Sequence, residues 1–360
     1  MATTREIVNN VYTYGLRGME RKIRMGVPRT RFLQEHFFGG AGGIVTDQRF
    51  MKLKIKSRAR VAAEQAEWNT KGHILADDNG YQWKIVEAPY FYNRHIITPD
   101  ELDQLDYEED PANPLPYDEK LMLVMQNDRE DLYDKLETSK EMLAFEVLSK
   151  GSYTLVDGSV QDFGINSGMF IDCSVDADGK LSAAANKAEW LSNKCKKVME
   201  DSGVLVDEIV LGLDAIYDLL ADSTIVELLD TRRIEGGMLD FDRFREDGVA
   251  FHGYLRLAGF GAVALLSYNG RYTDANGDDQ YIFPEDSILF GHRNLGNTNY
   301  GAVYRNDTAG KLPIKTAARE FVHVVEADGD IPSNMAVCLQ SSPVYAPMVI
   351  GGWCYCEKAV

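Results

Sequence analysis

Cys354 and Cys356 stand two apart near the end of the sequence, a spacing that on a strand turns both thiols to one face. Such a pair is half of a zinc site, and zinc wants two further ligands close by. The sequence suggests none: Cys173, Cys195 and Cys338 are irregularly spaced, and His36, His73, His95, His252, His292 and His323 show no HxxxH or related interval. An odd, irregular cysteine set also argues against a disulfide framework and for reduced thiols. Gly259-Phe260-Gly261-Ala262-Val263-Ala264 imitates a dinucleotide-binding turn, but it runs into the strand-like Leu265-Leu266-Ser267-Tyr268 where a phosphate site needs a helix N-terminus. Asp176-Ala177-Asp178-Gly179 imitates a calcium loop, yet with Gly179 at its sixth position the twelfth is Ala185, where a bidentate Glu is required. The acids from Asp274 to Asp279 around Gly277 fit a solvated turn. No Walker loop, nucleophile elbow or paired Cys/His motif is present. We therefore expect no catalytic, metal-binding or cofactor-binding residue and no cofactor.

The residues whose pattern does carry information are basic. Residues 1–60 hold thirteen Lys/Arg against four acids, a balance of +9, so a chain of net charge −18 leaves −27 to its other 300 residues. A basic leading segment and an acidic body can associate head to tail between copies. Nucleic-acid contact through the basic segment is the competing reading, weakened by a body that repels a phosphate backbone. The contact charges this reading selects are Arg17, Arg21, Lys22 and Arg24 in a leading arm, and Lys52, Lys54, Lys56, Arg58 and Arg60 in the segment that follows.

The elements that must position these charges can be read from periodicity. Residues 1–38 mix short apolar steps with arginines and read as an arm loosely attached to the body; Gly39, Gly40, Gly42 and Gly43 read as a hinge. Phe50 to Lys56 alternates apolar and basic residues, a strand with one wet face, and Tyr81 to Val86 is its expected partner after the turn Asp77-Asp78-Asn79-Gly80. An isolated two-stranded ribbon is marginal in water, so this one needs another surface to lie on. Thr98-Pro99-Asp100-Glu101 signals a helix start, closed off by Pro111, Pro114 and Pro116. From Asp118 to Ser149, Leu121, Met125, Leu132, Leu136, Leu143 and Val147 recur at an 11-residue period. That predicts one nearly straight helix of about 48 Å at about 1.5 Å per residue. Strands near Tyr153 to Val156 and Met169 to Ser174 follow, then a helix over Ala184 to Glu200, a strand over Glu208 to Leu211 and a helix near Asp214 to Leu229. The rest reads as strands, with turns at Asp274-Ala275-Asn276-Gly277, Asp328-Gly329-Asp330 and Pro343. The fold class is α+β with no regular βαβ repeat. No apolar run approaches the roughly 20 residues that span a bilayer, and no signal-peptide pattern opens the sequence, so we expect a soluble protein without membrane contact.

The order arm, glycine hinge, basic hairpin, Pro-rich crossover, long helix, mixed domain and C-terminal β segment resembles tailed-bacteriophage major capsid proteins of the Hong Kong 97-type fold. Particular stretches resemble the lambda-type major capsid protein E family: Ala88-Pro89 through Ile97-Thr98-Pro99-Asp100-Glu101-Leu102, Leu136 through Leu148, and Lys187-Ala188-Glu189-Trp190. Further on are Tyr272-Thr273-Asp274-Ala275-Asn276-Gly277 with Phe283-Pro284-Glu285-Asp286, and Ser341-Ser342-Pro343-Val344-Tyr345-Ala346-Pro347-Met348. The tail Cys354-Tyr355-Cys356 and residues 231–248 depart from the family pattern. The resemblance implies a Hong Kong 97-type capsid fold with an N-terminal arm and glycine hinge (1–47), an extended E-loop hairpin (48–98) and a peripheral domain with its spine helix (99–175, helix 118–149). A mixed α/β axial domain (176–335) and a C-terminal β segment returning to the body (336–360) complete it.

It also implies a non-enzymatic subunit that self-assembles into hexamers and pentamers of an icosahedral head enclosing double-stranded DNA, bound without sequence specificity. The implied partners beyond itself are a portal protein and, in some relatives, scaffolding and decoration proteins. The implied location is the virion capsid, after assembly in the bacterial host cytoplasm. Relatives that cross-link through Lys and Asn side chains provide no stretch that places those residues here. The alternatives are an encapsulin-like compartment shell and an acidic cytoplasmic α+β enzyme.

Overall fold

The computed structural model describes residues 31–40, 42–56, 81–98, 116–176, 179–230, 248–274, 276–306, 313–326 and 335–360. A short helix α1 (Phe32–Phe38) precedes strands β1 (Phe50–Lys56), β2 (Tyr81–Glu87) and β3 (Phe91–Ile96), then the long helix α2 (Tyr117–Lys150). Next come β4 (Ser152–Thr154), β5 (Val160–Asp162), β6 (Phe170–Asp172), α3 (Lys187–Ser202), β7 (Glu208–Leu211), α4 (Leu213–Leu220), α5 (Ser223–Leu228) and β8 (Leu229–Asp230). Strands β9 (Val249–Leu257), β10 (Gly261–Tyr268), β11 (Arg271–Thr273), β12 (Asp279–Tyr281), β13 (Ile288–Gly291) and β14 (Gly296–Tyr300) follow. The chain ends through β15 (Ala302–Asn306), β16 (Pro313–Ala317), β17 (Glu320–Glu326), β18 (Met335–Ser341), β19 (Pro343–Pro347) and β20 (Cys354–Glu357).

Helix α2 runs 34 residues, about 51 Å at about 1.5 Å each, and all six stripe residues predicted for it are buried. It ends at Gly151, whose left-handed backbone lets its N–H reach the Val147 carbonyl at 2.8 Å. The buried indole of Trp353 donates to the Leu148 carbonyl at 2.8 Å and closes another of the last-turn acceptors. The N-terminal half of α2 packs on the three-stranded sheet β17-β18-β3 through Leu121, Met125, Leu132, Val337 and Leu339. Its C-terminal half, with Leu143, Ala144, Val147 and Leu148, enters a second core shared with α1, β1, β2 and β19. A third core lies in the seven-stranded sheet β6-β20-β13-β7-β10-β9-β8, covered by α3, α4 and α5.

The element boundaries differ from expectation in instructive ways. The ribbon ends at Glu87: β3 leaves it and pairs with β18, Gln340 opposite Tyr92, so residues 91–96 belong to the sheet beneath α2. Strand β17 joins that same sheet, and β20 returns to the seven-stranded one between β6 and β13, so the sequence-based divisions at 98 and 335 cut across both sheets. The helix expected over 214–229 is two helices, because Asp222 leaves the helix and its side chain accepts from the Thr224 N–H at 2.9 Å to cap the second. Pro343 opens β19 opposite Tyr300 instead of making a turn, a position where its missing N–H is tolerated. The turns expected at 77–80 and 328–330, the helix start at 98–101 and residues 231–247 lie wholly or largely outside the described residues.

Candidate assembly surfaces

Strands β1 and β2 form a two-stranded antiparallel ribbon in the register Lys52 opposite Ile85 and Lys54 opposite Trp83. Alternation along β1 sends Met51, Leu53 and Ile55 inward, where with Val86 they join the core of their own subunit. Part of the surface that a marginal two-stranded ribbon needs is thus supplied by its own subunit. Among the described residues the ribbon enters no larger sheet, yet its inner face is sealed, and the Lys56 N–H donates to the Met348 carbonyl at 2.9 Å. Its base is tied down by the Tyr153 hydroxyl on the Glu87 carbonyl at 2.6 Å.

The outer face is different in kind. Phe50, Tyr81, Trp83 and Ile85 are 45–70% exposed there, beside Lys52, Lys54 and Lys56. The Lys52 ammonium lies 4.5 Å from the Trp83 ring centroid, and that of Lys54 lies 4.0 Å from the Tyr81 ring. Such cation–π contacts hold flexible lysines over the aromatic surface at little cost in hydration. Of the basic residues singled out in the sequence, the described structure brings Lys52, Lys54 and Lys56 to one surface; Arg17, Arg21, Lys22, Arg24, Arg58 and Arg60 lie outside the described residues.

The described end of the arm is not loose. Six of the seven residues of α1 are buried, with Phe32, Leu33, Phe37 and Phe38 in the central core. The glycine run that reads as a hinge is a close-packed seam: Gly39 bridges to Asn297 and the Gly40 N–H donates to the Gly296 carbonyl at 3.2 Å. A Cβ at Gly39 would collide with the Glu35 carbonyl, and one at Gly43 with that of Thr298. Glycine here serves close backbone approach.

A buried charge network holds α1 to α2. The Glu141 carboxylate, fully buried, accepts from the Leu33 N–H at 2.7 Å, the Gln34 N–H at 3.1 Å and the Tyr268 hydroxyl at 2.9 Å. Glu137 accepts from Gln34 Nε2 at 3.1 Å and pairs with Arg31 Nε at 3.1 Å and Lys140 Nζ at 3.0 Å. Lys140 also pairs with Glu320 on β17. Burial alone would lower the Lys140 pKa, but the Glu137 and Glu320 carboxylates outweigh it and hold it above the ordinary lysine value. A 560 Å³ cleft beside this network is lined by Arg31, Lys140 and Arg319 against Glu35, Glu137 and Glu320, so its charges balance.

The side chains capable of chemistry are engaged in packing. His36 pairs with Glu208, and His292 Nδ1 with Asp207 Oδ2 at 2.7 Å. His252 bonds the Ser267 hydroxyl at 2.8 Å, and His323 stacks on Phe321 and Tyr92. All five cysteines are buried. Folding brings Cys173 and Cys195 to the core that holds Cys354 and Cys356, a convergence no local spacing announces. The Cys356 thiol hydrogen-bonds those of Cys173 and Cys354 and, with burial, is pushed well up; burial drives Cys195 up to about 12. Among the described residues no group of three or more His, Cys, Asp or Glu is arranged to hold a metal. The glycine pattern at 259–264 is the end of the turn between β9 and β10 followed by the first residues of β10, and Asp176 of the calcium-like loop pairs with Lys194 at 2.6 Å. Asp274 accepts from the Asn276 and Asp278 N–H groups, the solvated turn expected.

Sequence reasoning missed Glu137, Lys140 and Glu141. The signal was present in the stripe of α2: its steps of seven skip Asp128 and Lys140, charged residues at inward positions, and both are buried.

Among solved structures, the fold is similar to a chain assigned as a prophage capsid protein of Escherichia coli CFT073, with a TM-score of 0.67 and 18% identity over 97% of this chain and 98% of that one. It is also similar to the capsid asymmetric unit of cyanophage A-1(L), with a TM-score of 0.51 and 11% identity over 94% and 95% of the two chains. Curated protein sequences give no match. Both likenesses concern the fold, which is that of Hong Kong 97-type capsid proteins. The model of the phage major capsid protein E family matches residues 16–354, nearly the whole sequence, and the chain belongs to that family.

Proposed function

We propose that this capsid shell protein is joined to its neighbours through the outer face of the ribbon and through its basic leading arm. The observation that carries the reading is the asymmetry of β1 and β2: one face closed into the subunit's own core, the other presenting four large apolar side chains and three lysines. Exposed aromatic surface with cations is the composition of an interface, and a lone subunit has no use for it. Lys52, Lys54 and Lys56, continued in sequence by Arg58 and Arg60, supply the ribbon's contact charges; Arg17, Arg21, Lys22 and Arg24 supply those of the arm. Opposite charge on the acidic body of a sister subunit fixes register and speeds encounter.

The finer assembly follows the family: hexamers and pentamers in an icosahedral head around double-stranded DNA, formed in the bacterial cytoplasm. A portal protein is a further partner, with scaffolding and decoration proteins where the head requires them. The subunit acts by assembling and not by catalysis.

The test is the assembly rate of Lys52→Glu/Lys54→Glu/Lys56→Glu subunits, followed by light scattering at two salt concentrations. The Debye length falls from about 10 Å at about 0.1 M to about 3 Å at about 1 M. Slowing of about tenfold at low salt that largely disappears at high salt is expected. Unchanged rates at both would remove the electrostatic role.

A further inference from the structure

Four of the five cysteines meet in the core of the seven-stranded sheet, and two of them belong to neighbouring strands. Cys356 is on β20, and Cys173 directly follows β6, which pairs with β20 in parallel with Ile171 opposite Cys356. The Cys173 N–H donates to the Glu357 carbonyl at 2.9 Å, so the two backbones are tied beside the thiols. Both side chains are at most 1% exposed, and the Cys356 thiol donates to the Cys173 sulfur.

The contact makes the two cysteines unlike. The bond from Cys356 holds the Cys173 thiol below the ordinary cysteine value against the effect of burial. The Lys194 ammonium, buried and 2.6 Å from Asp176, adds to the lowering and outweighs Asp176 and Asp172. Cys356 is instead held up by its bonds to Cys173 and Cys354 and by burial, so it keeps its proton. A thiolate beside a protonated thiol is the arrangement of an attacking and a resolving cysteine.

The other thiols do not offer it. Cys354 precedes Cys356 by two residues on one extended strand, about 6.6 Å along it, whereas a disulfide holds its Cβ atoms about 3.8 Å apart. Burial takes Cys195 up to about 12, and Cys338 lies in the sheet beneath α2.

We propose that Cys173 and Cys356 are a redox pair, closing a disulfide that staples β20 to β6 when the subunit meets a low-molecular-weight disulfide in an oxidising medium. The Cys173 thiolate attacks one sulfur of that disulfide and expels the other as a thiolate, leaving a mixed disulfide on Cys173. Cys356 then gives its proton to water, its sulfur bonds to that of Cys173, and the second half departs as a thiolate. The two cysteines lose two electrons, and the external disulfide gains them. Access comes from the sheet edge. Strand β6 is a border strand of three residues and Cys173 opens the turn after it, so local opening uncovers the sulfur and supplies the shift that the bond requires. The loop that closes runs from α3 to β19, long enough to restrict the unfolded chain strongly. A reducing cytoplasm keeps the pair open and an extracellular medium closes it. That timing rests on the cytoplasmic assembly proposed above; the bond itself does not.

The experiment takes full-length subunits purified in reductant, transfers them to oxidised glutathione, and analyses alkylated, unreduced digests by mass spectrometry. A peptide linking Cys173 to Cys356 is expected in more than about half of the molecules. Cys356→Ala should trap glutathione on Cys173, whereas Cys195→Ala and Cys354→Ala should leave the link in place. The parent chain alone is decisive: if it stays folded by circular dichroism without that link, or links another pair of cysteines, the proposal is overturned. The linked chain should melt about 5 °C above the reduced one, and reductant should reverse the shift. Equal melting temperatures would overturn the staple. Cells alkylated before lysis test the timing separately: free thiols are expected, and a link already present there would overturn the timing while leaving the bond in place.

Discussion

Burial at His252 and His323 disfavours the charged imidazole, and both pKa values are lowered for that reason. His252 keeps a hydrogen bond to Ser267, while His323 is held between Phe321 and Tyr92. The consequence for stability has a definite sign. Below about pH 6.5 the unfolded chain takes up protons that the folded chain does not, so the folded state loses free energy until pH falls through the lowered folded values. Above about pH 6.5 the two histidines contribute no slope. We expect urea midpoints of the unassembled subunit to fall on going from about pH 7 to about pH 5, by up to about 1.4 kcal/mol per pH unit for each proton. The double variant His252→Gln/His323→Gln should flatten that fall relative to the parent. An identical slope in parent and variant would show that other groups set the acid response. Lys140 acts at the opposite end of the scale: its raised value gives stability that is lost only as pH rises through the folded pKa.

At the scale of elements, α2 couples the parts of the subunit, and its polar inward positions matter as much as its apolar ones. Glu141 replaces the missing turn of α1 by accepting two of its first N–H groups, and it holds Tyr268 as well. Glu141→Ala leaves three buried donors without that acceptor, each worth about 1–3 kcal/mol, offset in part by relief of a buried charge. A net loss of about 2–5 kcal/mol in the unfolding free energy of the subunit is expected from urea titration. A loss under about 0.5 kcal/mol would mean that α1 is held by its aromatic side chains alone. The sequence foretold α2 and the β1–β2 pairing because periodicities of 3.6 and 2 are local, and Leu121 through Val147 or Met51 through Ile55 display them without reference to anything distant. It did not foretell the network, since Glu141 meets Leu33 across 108 positions and a count of apolar residues treats Lys140 as solvent-facing. The glycines misled for a related reason. Flexibility and close approach have the same spelling, and only β14 lying against Gly39 to Gly43 tells them apart.

At the scale of the molecule, the question is where the subunit stops and the part offered to its neighbours begins. The charge asymmetry suggests a break after the glycines, whereas packing moves it to the start of α1. Phe32, Leu33, Phe37 and Phe38 are each at most 5% exposed and belong to the core that also holds β1, β2 and the end of α2. Burying such a side chain is worth about 1.5–3 kcal/mol, so four of them represent a large share of the roughly 5–15 kcal/mol that keeps a domain folded. Removing residues 1–38 would also strip Glu141 of its two backbone donors. A chain lacking residues 1–38 is therefore expected to be poorly soluble or to unfold at a much lower urea concentration. One lacking only residues 1–30 should unfold cooperatively near the parent midpoint and yet fail to close shells, because it has lost Arg17, Arg21, Lys22 and Arg24. Denaturation curves and electron micrographs of the two truncations separate these roles. Equal stability of both would mean that α1 is not part of the folded core, and normal particles from the shorter deletion would leave the basic arm without a part in assembly.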